Sequence, residues 1–207
     1  MATERPSPIL NAIVLAAGAG SRFGGGKLTA PWRGGRLIDG ALGAAFSAPV
    51  SQVIVVTGAD DDVEQAVMEF AWRDARACRS PFRVVFAADH ALGMSASLKA
   101  GLAMVEPGCE GVFVFLGDMP LVPVELPKAL AAHLADGAVA AAPVWRGRRG
   151  HPVLFGDPLF ADIARLEGDE GARRVLEGLG ARLALVPATD AGVLFDIDAP
   201  GDIYALD

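Results

Sequence analysis

A glycine-rich loop that follows an apolar run is the part of this sequence best suited to chemistry. The apolar run 13–17 leads into five glycines between positions 18 and 26, and the same loop carries Arg22 and Lys27. Glycines permit positive φ angles and expose backbone N–H groups to a phosphate, and the two cations add charge. The pattern predicts a strand followed by a loop that binds the phosphates of a nucleotide.

Two commoner phosphate loops do not fit this spelling. A Walker loop ending at Lys27 requires glycine at position 21 and a hydroxyl residue at position 28, where the chain has Ser21 and Leu28. A dinucleotide fingerprint beginning at Gly18 requires a small residue at position 23, where Phe23 stands. A plain turn with solvated cations would give Arg22 and Lys27 little reason to stand among so many glycines.

Acidic residues after two later apolar runs could hold a metal ion. We expect Asp118, and either Asp196 or Asp198, at the carboxyl ends of strands, where ligands collect in open α/β sheets. Mg²⁺ is usually held by one or two carboxylates together with substrate phosphates. Asp118 is therefore a predicted metal ligand. Alternation along a strand makes Asp196 and Asp198 both eligible as the second, and Asp202 is interpreted as a helix N-cap.

Short apolar runs alternate with segments of helical spacing along most of the chain. Strands are predicted near residues 11–15, 52–57, 82–87, 111–116, 137–143, 152–155, 182–186 and 193–195. Helices are predicted near 37–48, 62–76, 95–105, 124–135, 158–165 and 170–179, with Ser95 as a candidate N-cap of the third. Such alternation predicts an α/β protein, a three-layer α/β/α sandwich around a mostly parallel, Rossmann-like sheet.

Composition argues against several classes of partner. The 207 residues are 52% hydrophobic and carry a formal net charge of −7, whereas nucleic-acid-binding proteins need a basic face. No apolar run approaches the length of a membrane span and no signal-peptide core is present, so a cytoplasmic protein is expected. Cys78 and Cys109 have no partner at metal-ligand spacing and are predicted to be reduced thiols.

Six segments together give the chain a family resemblance. Residues 15–27, 117–120 and 196–200 look like those of nucleotidyltransferases that join an NTP to a phosphorylated acceptor, and residues 93–102, 147–155 and 168–173 resemble the molybdenum cofactor cytidylyltransferases. The resemblance extends from about residue 11 to residue 202. It departs from the family at Ala199, where threonine is usual, and in the glycine run 24–26, where relatives often have a polar residue before the lysine.

The resemblance implies a nucleotide site that binds CTP or GTP together with Mg²⁺. The implied nucleotide-binding residues are Leu15, Ala16, Ala17, Gly18, Gly20, Arg22, Lys27, Ser97 and Asp118. Lys27, Arg22 and Asp118 would carry catalysis, with Asp118 and Asp198 as the metal ligands. Ala17 matches the loop sequence of the cytidylyltransferase branch, which favours CTP as the substrate.

An acceptor site for a molybdopterin-type cofactor is implied in the second half of the chain. Its expected residues are Arg148, Arg149 and His151, although His151 fits a structural turn before a strand equally well. Asp169 and Arg173 could either form an ion pair or line the acceptor pocket, and the sequence favours neither.

These features predict one nucleotidyltransferase domain over residues 11–207, after a short tail at 1–10. Residues 11–143 would form the nucleotide-binding part and 144–207 the acceptor-binding part with the second metal ligand. The predicted reaction transfers CMP from CTP to the molybdenum cofactor and releases pyrophosphate. One alternative is a transferase that uses GTP or another phosphorylated metabolite. The other is a non-catalytic carrier that delivers the cofactor to a molybdenum hydroxylase, and a transient complex with such an enzyme suits carrier and transferase alike.

Overall fold

The computed structural model describes residues 8–77, 80–169 and 171–204. Its strands are β1 (Leu10–Ala16), β2 (Pro31–Trp32), β3 (Gly35–Arg36), β4 (Gln52–Thr57), β5 (Phe82–Phe86), β6 (Gly111–Leu116), β7 (Ala140–Trp145), β8 (Arg148–Arg149), β9 (Val153–Gly156) and β10 (Leu183–Pro187). Its α-helices are α1 (Ile38–Ser47), α2 (Asp62–Arg73), α3 (Met94–Leu102), α4 (Leu126–Ala135), α5 (Phe160–Ala164), α6 (Arg173–Glu177) and α7 (Pro200–Tyr204).

One large, mostly parallel sheet organises the chain. Its strand order is β10-β7-β9-β6-β1-β4-β5, and β8 forms a hairpin with β7. Strand β1 lies between β6 and β4 and is parallel to both, whereas β9 runs antiparallel to both of its neighbours. This arrangement confirms the predicted fold class. It also places the carboxyl ends of β1 and β6, which precede the glycine loop and Asp118, side by side.

Apolar layers cover both faces of the sheet. Alternate residues of β1 point to opposite sides, so that Ala12 and Val14 pack with α1, α2 and α4, while Ile13 packs with α3, α5 and α6. A strand buried on both faces needs a nearly continuous apolar sequence, and all seven residues of β1 except Asn11 are apolar. The buried Asn11 amide donates to the Gln52 side chain at 3.0 Å, which satisfies that donor.

The prediction of a strand at residues 193–195 is wrong. The chain forms a 3₁₀ turn at Ala191–Leu194 because the Asp190 carboxylate accepts a hydrogen bond from the Gly192 N–H at 2.7 Å. Gly192 also lies against the Leu121 carbonyl oxygen, where a Cβ would overlap. Asp196 and Asp198 therefore do not alternate along a strand, which removes the reason for treating them as equivalent.

Other differences concern the ends of elements. Helices α2, α3 and α6 are shorter than predicted, and the segment predicted as one helix at 158–165 is divided between a 3₁₀ turn at Asp157–Leu159 and α5. The β2–β3 hairpin and β8 were not predicted, because each of these strands has only two residues. Such short strands leave almost no periodic signal in a sequence.

Some of the sequence-based predictions concern residues that the structure does not describe. Cys78, residues 1–7 of the tail and residue 170 of the predicted sixth helix lie outside the described residues. Cys109 is a buried free thiol that donates to the Gly111 carbonyl oxygen at 3.1 Å, and burial raises its pKa. Among the described residues, no helix is both long and apolar enough to cross a membrane.

Gly40 allows α1 to pack directly against the chain that follows Asp118. A Cβ at this position would overlap the main chain of Pro120, two residues after Asp118. We expect Gly40→Ala to reduce the free energy of unfolding by about 1–3 kcal/mol, since backbone cannot move aside as a side chain can. Urea denaturation measures this change. Gly178→Ala is the control, because its Cβ would come no closer than 4.0 Å to a neighbouring atom. Equal stability of the two variants would contradict this account.

Candidate functional site

The glycine-rich loop turns back over the end of β1. Gly20, Gly24, Gly25 and Gly26 all have positive φ angles, between 55° and 94°. The Phe23 N–H donates to the Gly20 carbonyl oxygen at 2.9 Å, which closes the first turn. A Cβ at Gly20 would lie 2.9 Å from the Cβ of Lys27, so glycine is needed there both for its φ angle and for space. The loop thereby brings Lys27 back beside its own start.

Lys27 forms an ion pair with Asp118. The lysine Nζ lies 2.6 Å from Asp118 Oδ2, and the two side chains are only 14% and 25% exposed. Asp118 follows β6, and the Gly117 N–H donates to the Leu15 carbonyl oxygen of β1 at 2.9 Å. A charge-assisted hydrogen bond of this length is among the stronger polar contacts in proteins. It joins the glycine loop to the end of the neighbouring strand.

Arg22 forms a second, more exposed pair with Asp198. Its NH1 lies 3.3 Å from Asp198 Oδ2, and the side chains are 81% and 54% exposed. The Ile197 N–H donates to the Asp118 carbonyl oxygen at 3.1 Å, so the segment carrying Asp198 is attached directly to Asp118. The structure therefore brings the two predicted metal ligands into neighbouring segments, each paired with one cation of the glycine loop.

Asp202 has a structural role, although it is not the N-cap itself. It is the third residue of α7, and its Oδ2 accepts hydrogen bonds from the N–H groups of Ala199 and Asp198 at 2.7 and 2.9 Å. These two donors hold the pKa of Asp202 below its usual value. An acidic residue at this position closes the first turn in the manner of a capping box. It fixes the backbone of Asp198.

Asp118 and Asp198 fit a metal that arrives with its substrate. No cluster of three or more His, Cys, Asp and Glu side chains suited to a metal exists within residues 8–77, 80–169 and 171–204. Two carboxylates from hydrogen-bonded segments are nevertheless the donor set that Mg²⁺ shares with substrate phosphates. The side chains present thus suit an ion that obtains its remaining ligands from a nucleotide.

A first cavity of about 570 Å³ lies over the glycine loop, and we call it the nucleotide cavity. The predicted residues that line it are Leu15, Ala17, Gly18, Gly20, Lys27, Ser97 and Asp118. Ala16 does not reach it, because its side chain is buried in the core on the other face of the sheet. Arg22 lies outside the lining, at Asp198. His90 and Met94 also line this cavity and were not predicted. His90 lies outside the segments that carry the resemblance, and Met94 lies inside segment 93–102 but has neither a charge nor a hydroxyl group.

A second cavity of about 480 Å³ adjoins the first, and we call it the acceptor cavity. Its polar lining consists of Arg148, Arg149, His151, Asp169 and Arg173. Its apolar lining includes Leu98, Val114, Leu116, Val153, Phe155 and Leu176. All three residues predicted for acceptor binding are therefore here. Leu15, Met94, Leu116 and Asp169 line both cavities, which places the two side by side.

The structure separates the two alternatives for Asp169 and Arg173. The Arg173 Nε donates to Glu177 one helical turn later at 3.0 Å, while Asp169 Oδ1 accepts the Met94 N–H at 3.2 Å. Both side chains line the acceptor cavity instead of pairing with each other.

The prediction that Ser95 caps α3 is wrong, because Ser95 lies inside the helix and its own N–H donates to the Gly168 carbonyl oxygen.

His151 is a half-buried side chain of the acceptor cavity. Burial lowers its pKa below the ordinary value, although the Val114 carbonyl oxygen, 3.5 Å from Nδ1, and the carboxylates of Asp118 and Asp196 act in the opposite direction. A neutral imidazole presents one donor and one acceptor nitrogen. At neutral pH His151 can therefore exchange hydrogen bonds with a ligand without adding charge.

Comparison with known proteins supplies the family. Residues 12–185 match the MobA-like NTP transferase domain. The chain belongs to this family. It is accordingly a nucleotidyltransferase.

Three known proteins resemble the chain over almost its whole length. The purine catabolism protein PucB of Bacillus subtilis is 34% identical over 201 residues, which is 94% of each chain. The molybdenum cofactor cytidylyltransferase of Escherichia coli is 28% identical over 193 residues, or 93% of each chain. Nicotine blue oxidoreductase of Paenarthrobacter nicotinovorans is 30% identical over 207 residues, covering 96% of this chain and 97% of that protein.

Solved structures share the fold of this MobA-like chain. The homologue of Mycobacterium tuberculosis rv0371c from mycobacterium sp. strain JC1 superposes with a TM-score of 0.75 at 30% identity, covering 95% of this chain and 94% of that one. A manganese complex of Rv0371C from Mycobacterium tuberculosis H37Rv superposes with a TM-score of 0.74 at 24% identity, covering 96% and 97%. Both agree with the mostly parallel sheet described above.

The depressed pKa of His151 predicts an acid-side loss of stability. Below the ordinary histidine value of about 6.5, the unfolded chain binds a proton at this position that the folded chain does not bind, so unfolding is favoured as the pH falls. We expect His151→Gln to remove this contribution. Urea denaturation at pH 7.5 and about pH 5.5 measures it as the difference between the two proteins. Other groups titrate in both proteins, so an equal loss of stability on acidification would contradict the prediction.

Proposed function

We propose that this protein transfers CMP from CTP to a molybdopterin-type cofactor, giving the cytosine dinucleotide form of the cofactor and pyrophosphate. The observation that carries the proposal is the pair of adjoining cavities, one lined by the cationic glycine loop and one lined by arginines and apolar side chains. The proposed transfer has two anionic substrates, the NTP and a phosphorylated acceptor, whose reacting groups must come into contact. The relative named molybdenum cofactor cytidylyltransferase supports this choice of acceptor.

The cations of the glycine loop would bind the triphosphate. Lys27 and Arg22 are each bound to a carboxylate, and both can exchange that carboxylate for phosphate oxygens. Their role is to neutralise charge that develops on the α-phosphate and on the departing pyrophosphate. Asp118 and Asp198 would hold Mg²⁺, which supplies further neutralisation of the phosphates when bound. The manganese complex of a protein with the same fold is consistent with a divalent ion.

The acceptor cavity suits a planar, phosphorylated heterocycle. Arg148 and Arg149 would bind the phosphate, because guanidinium groups match phosphate oxygens in a bidentate manner. Apolar side chains such as Phe155 provide a floor for a ring system. His151, being neutral, would hydrogen-bond the polar edge of that ring. A phosphate monoester has a second pKa of about 6, so the acceptor needs alignment with the α-phosphorus and not deprotonation by a base.

Selectivity for CTP is assigned to Ala17 and Ser97. Both are buried residues on the nucleotide cavity, and the Ser97 hydroxyl can donate to or accept from the edge of a pyrimidine. A small pyrimidine also leaves the wall shared with the acceptor cavity free. We extend the proposal to a cytoplasmic enzyme that passes its product to a molybdenum hydroxylase in a transient complex.

The proposal is tested by pyrophosphate release with purified molybdopterin cofactor and each of the four NTPs in turn. We expect CTP to support turnover at least about tenfold better than GTP, ATP or UTP, with the cytosine dinucleotide as product by mass spectrometry. Omitting the acceptor is the control for simple hydrolysis. Release with GTP in preference to CTP would favour the guanylyl alternative, and nucleotide binding without release would favour a carrier.

Lys27 provides the matching test of mechanism. We expect Lys27→Ala to lower kcat by about 100-fold or more, because it removes a donor that acts on developing charge in a partly enclosed site. Circular dichroism and thermal unfolding should show an intact fold. Lys128→Ala, which removes an exposed lysine from α4, is the control and should retain wild-type turnover. Wild-type kcat in Lys27→Ala would contradict the assigned role.

A further inference from the structure

The first turn of α3 is held by a loop that lies about 75 residues later in the chain. The Met94 N–H donates to Asp169 Oδ1 at 3.2 Å, and the Ser95 N–H donates to the Gly168 carbonyl oxygen at 3.1 Å. The first N–H groups of a helix have no partners within the helix. Residues 168–169 therefore act as the cap of α3, a role that usually belongs to the residue just before the helix.

Gly93 shows how closely this loop approaches α3. Its φ angle is 111°, in a region that favours glycine, and a Cβ there would lie 2.5 Å from Asp169 Oδ1 and 2.6 Å from the Gly168 carbonyl carbon. Any side chain at Gly93 would force the loop away from the helix. Gly168 itself has a positive φ of 66°. The contact thus rests on two glycines and one carboxylate.

This contact lies at the wall between the two cavities. Asp169 lines both, and α3 carries Met94 and Ser97 into the nucleotide cavity. Immediately after the loop, Gly171 and Arg173 line the acceptor cavity, as do Ala172 and Leu176. Gly171 also approaches Met94, since a Cβ there would lie 3.1 Å from the Met94 sulfur. The first turn of α3 therefore contacts, through Asp169 and Gly171, residues that line the acceptor cavity.

We propose that Asp169 is a positioning residue that couples the two substrate cavities by holding the first turn of α3 against residues 171–176. Nucleotide binding that orders α3 orders the acceptor wall through this contact, and acceptor binding favours the nucleotide by the same amount, as linkage requires. The inference depends on one part of the proposed function, namely that the nucleotide cavity binds a nucleotide. It adds a contact through which occupation of either cavity favours binding in the other.

The test follows amide hydrogen exchange of the whole protein with and without CTP and Mg²⁺. In the wild type we expect added CTP to slow exchange at residues 94–98 and also at 171–176, although no nucleotide contact is assigned to the second segment. In Asp169→Ala the protection at 171–176 should be lost, and the Kd for CTP should rise about five- to tenfold, as expected for one lost hydrogen bond. Asp169→Asn keeps an oxygen at the accepting position and should recover the wild-type behaviour.

A control variant and the pattern of results distinguish a failure of the proposed coupling from a failure of the proposed function. Glu167→Ala removes an exposed carboxylate two residues earlier that lines neither cavity, and it should behave as wild type. Unchanged exchange at 171–176 when CTP binds the wild type would overturn the coupling without any variant. Equal protection in the wild type and Asp169→Ala would overturn it as well, and so would an Asp169→Asn variant that behaves like Asp169→Ala. Absence of CTP binding to the wild type would contradict the proposed function instead; the exchange experiment is then repeated with whichever NTP binds.

Discussion

The ion pair between Lys27 and Asp118 is the contact on which the site depends. It joins a loop that follows β1 to a carboxylate that follows β6, and the carboxyl ends of these strands lie side by side because β1 and β6 are adjacent and parallel. Gly20 and Gly40 serve the same contact from two sides. The first leaves room for Lys27 to return over β1, and the second lets α1 lie against the chain just beyond Asp118. Backbone geometry, strand order and charge therefore all contribute to the contact between Lys27 Nζ and Asp118 Oδ2.

The division of the site into two cavities follows from the sheet rather than from the order of the sequence. Leu15, the residue before the last of β1, pairs with Leu116 at the end of β6, and both line the two cavities. The ends of β1 and β6 therefore form the floor on which the cavities meet. The antiparallel strand β9 lies next to β6 and brings His151, which precedes it, beside the acceptor cavity. A second substrate would thus contact residues from both halves of the chain.

The sequence was informative where function requires unusual residues and less so where tertiary contacts decide. The mostly parallel sheet, the glycine loop and the placement of Arg148, Arg149 and His151 on one cavity all agree with sequence-based expectation. The strand expected at residues 193–195 fails because the Asp190 side chain turns the chain locally. The cap of α3 could not be foreseen at all. Its acceptor groups come from about 75 residues away, and Ser95 offered a plausible local alternative. Local spacing carries no information about such a contact.

The net charge of the chain and the two ion pairs of the site together determine how strongly the site attracts an anion. The chain has a formal net charge of −7, so its overall field opposes the approach of a triphosphate and of a phosphorylated acceptor. Lys27 and Arg22 are each compensated by Asp118 and Asp198, which leaves little net positive charge to attract a nucleotide alone. A nucleotide that arrived with a divalent ion would be less negative. Under the proposed function, Lys27 and Arg22 would then bind its phosphates, while Asp118 and Asp198 would hold the ion. All four side chains would keep a partner of opposite charge, so a preference for the metal-bound nucleotide would follow from ion pairs that the protein already contains.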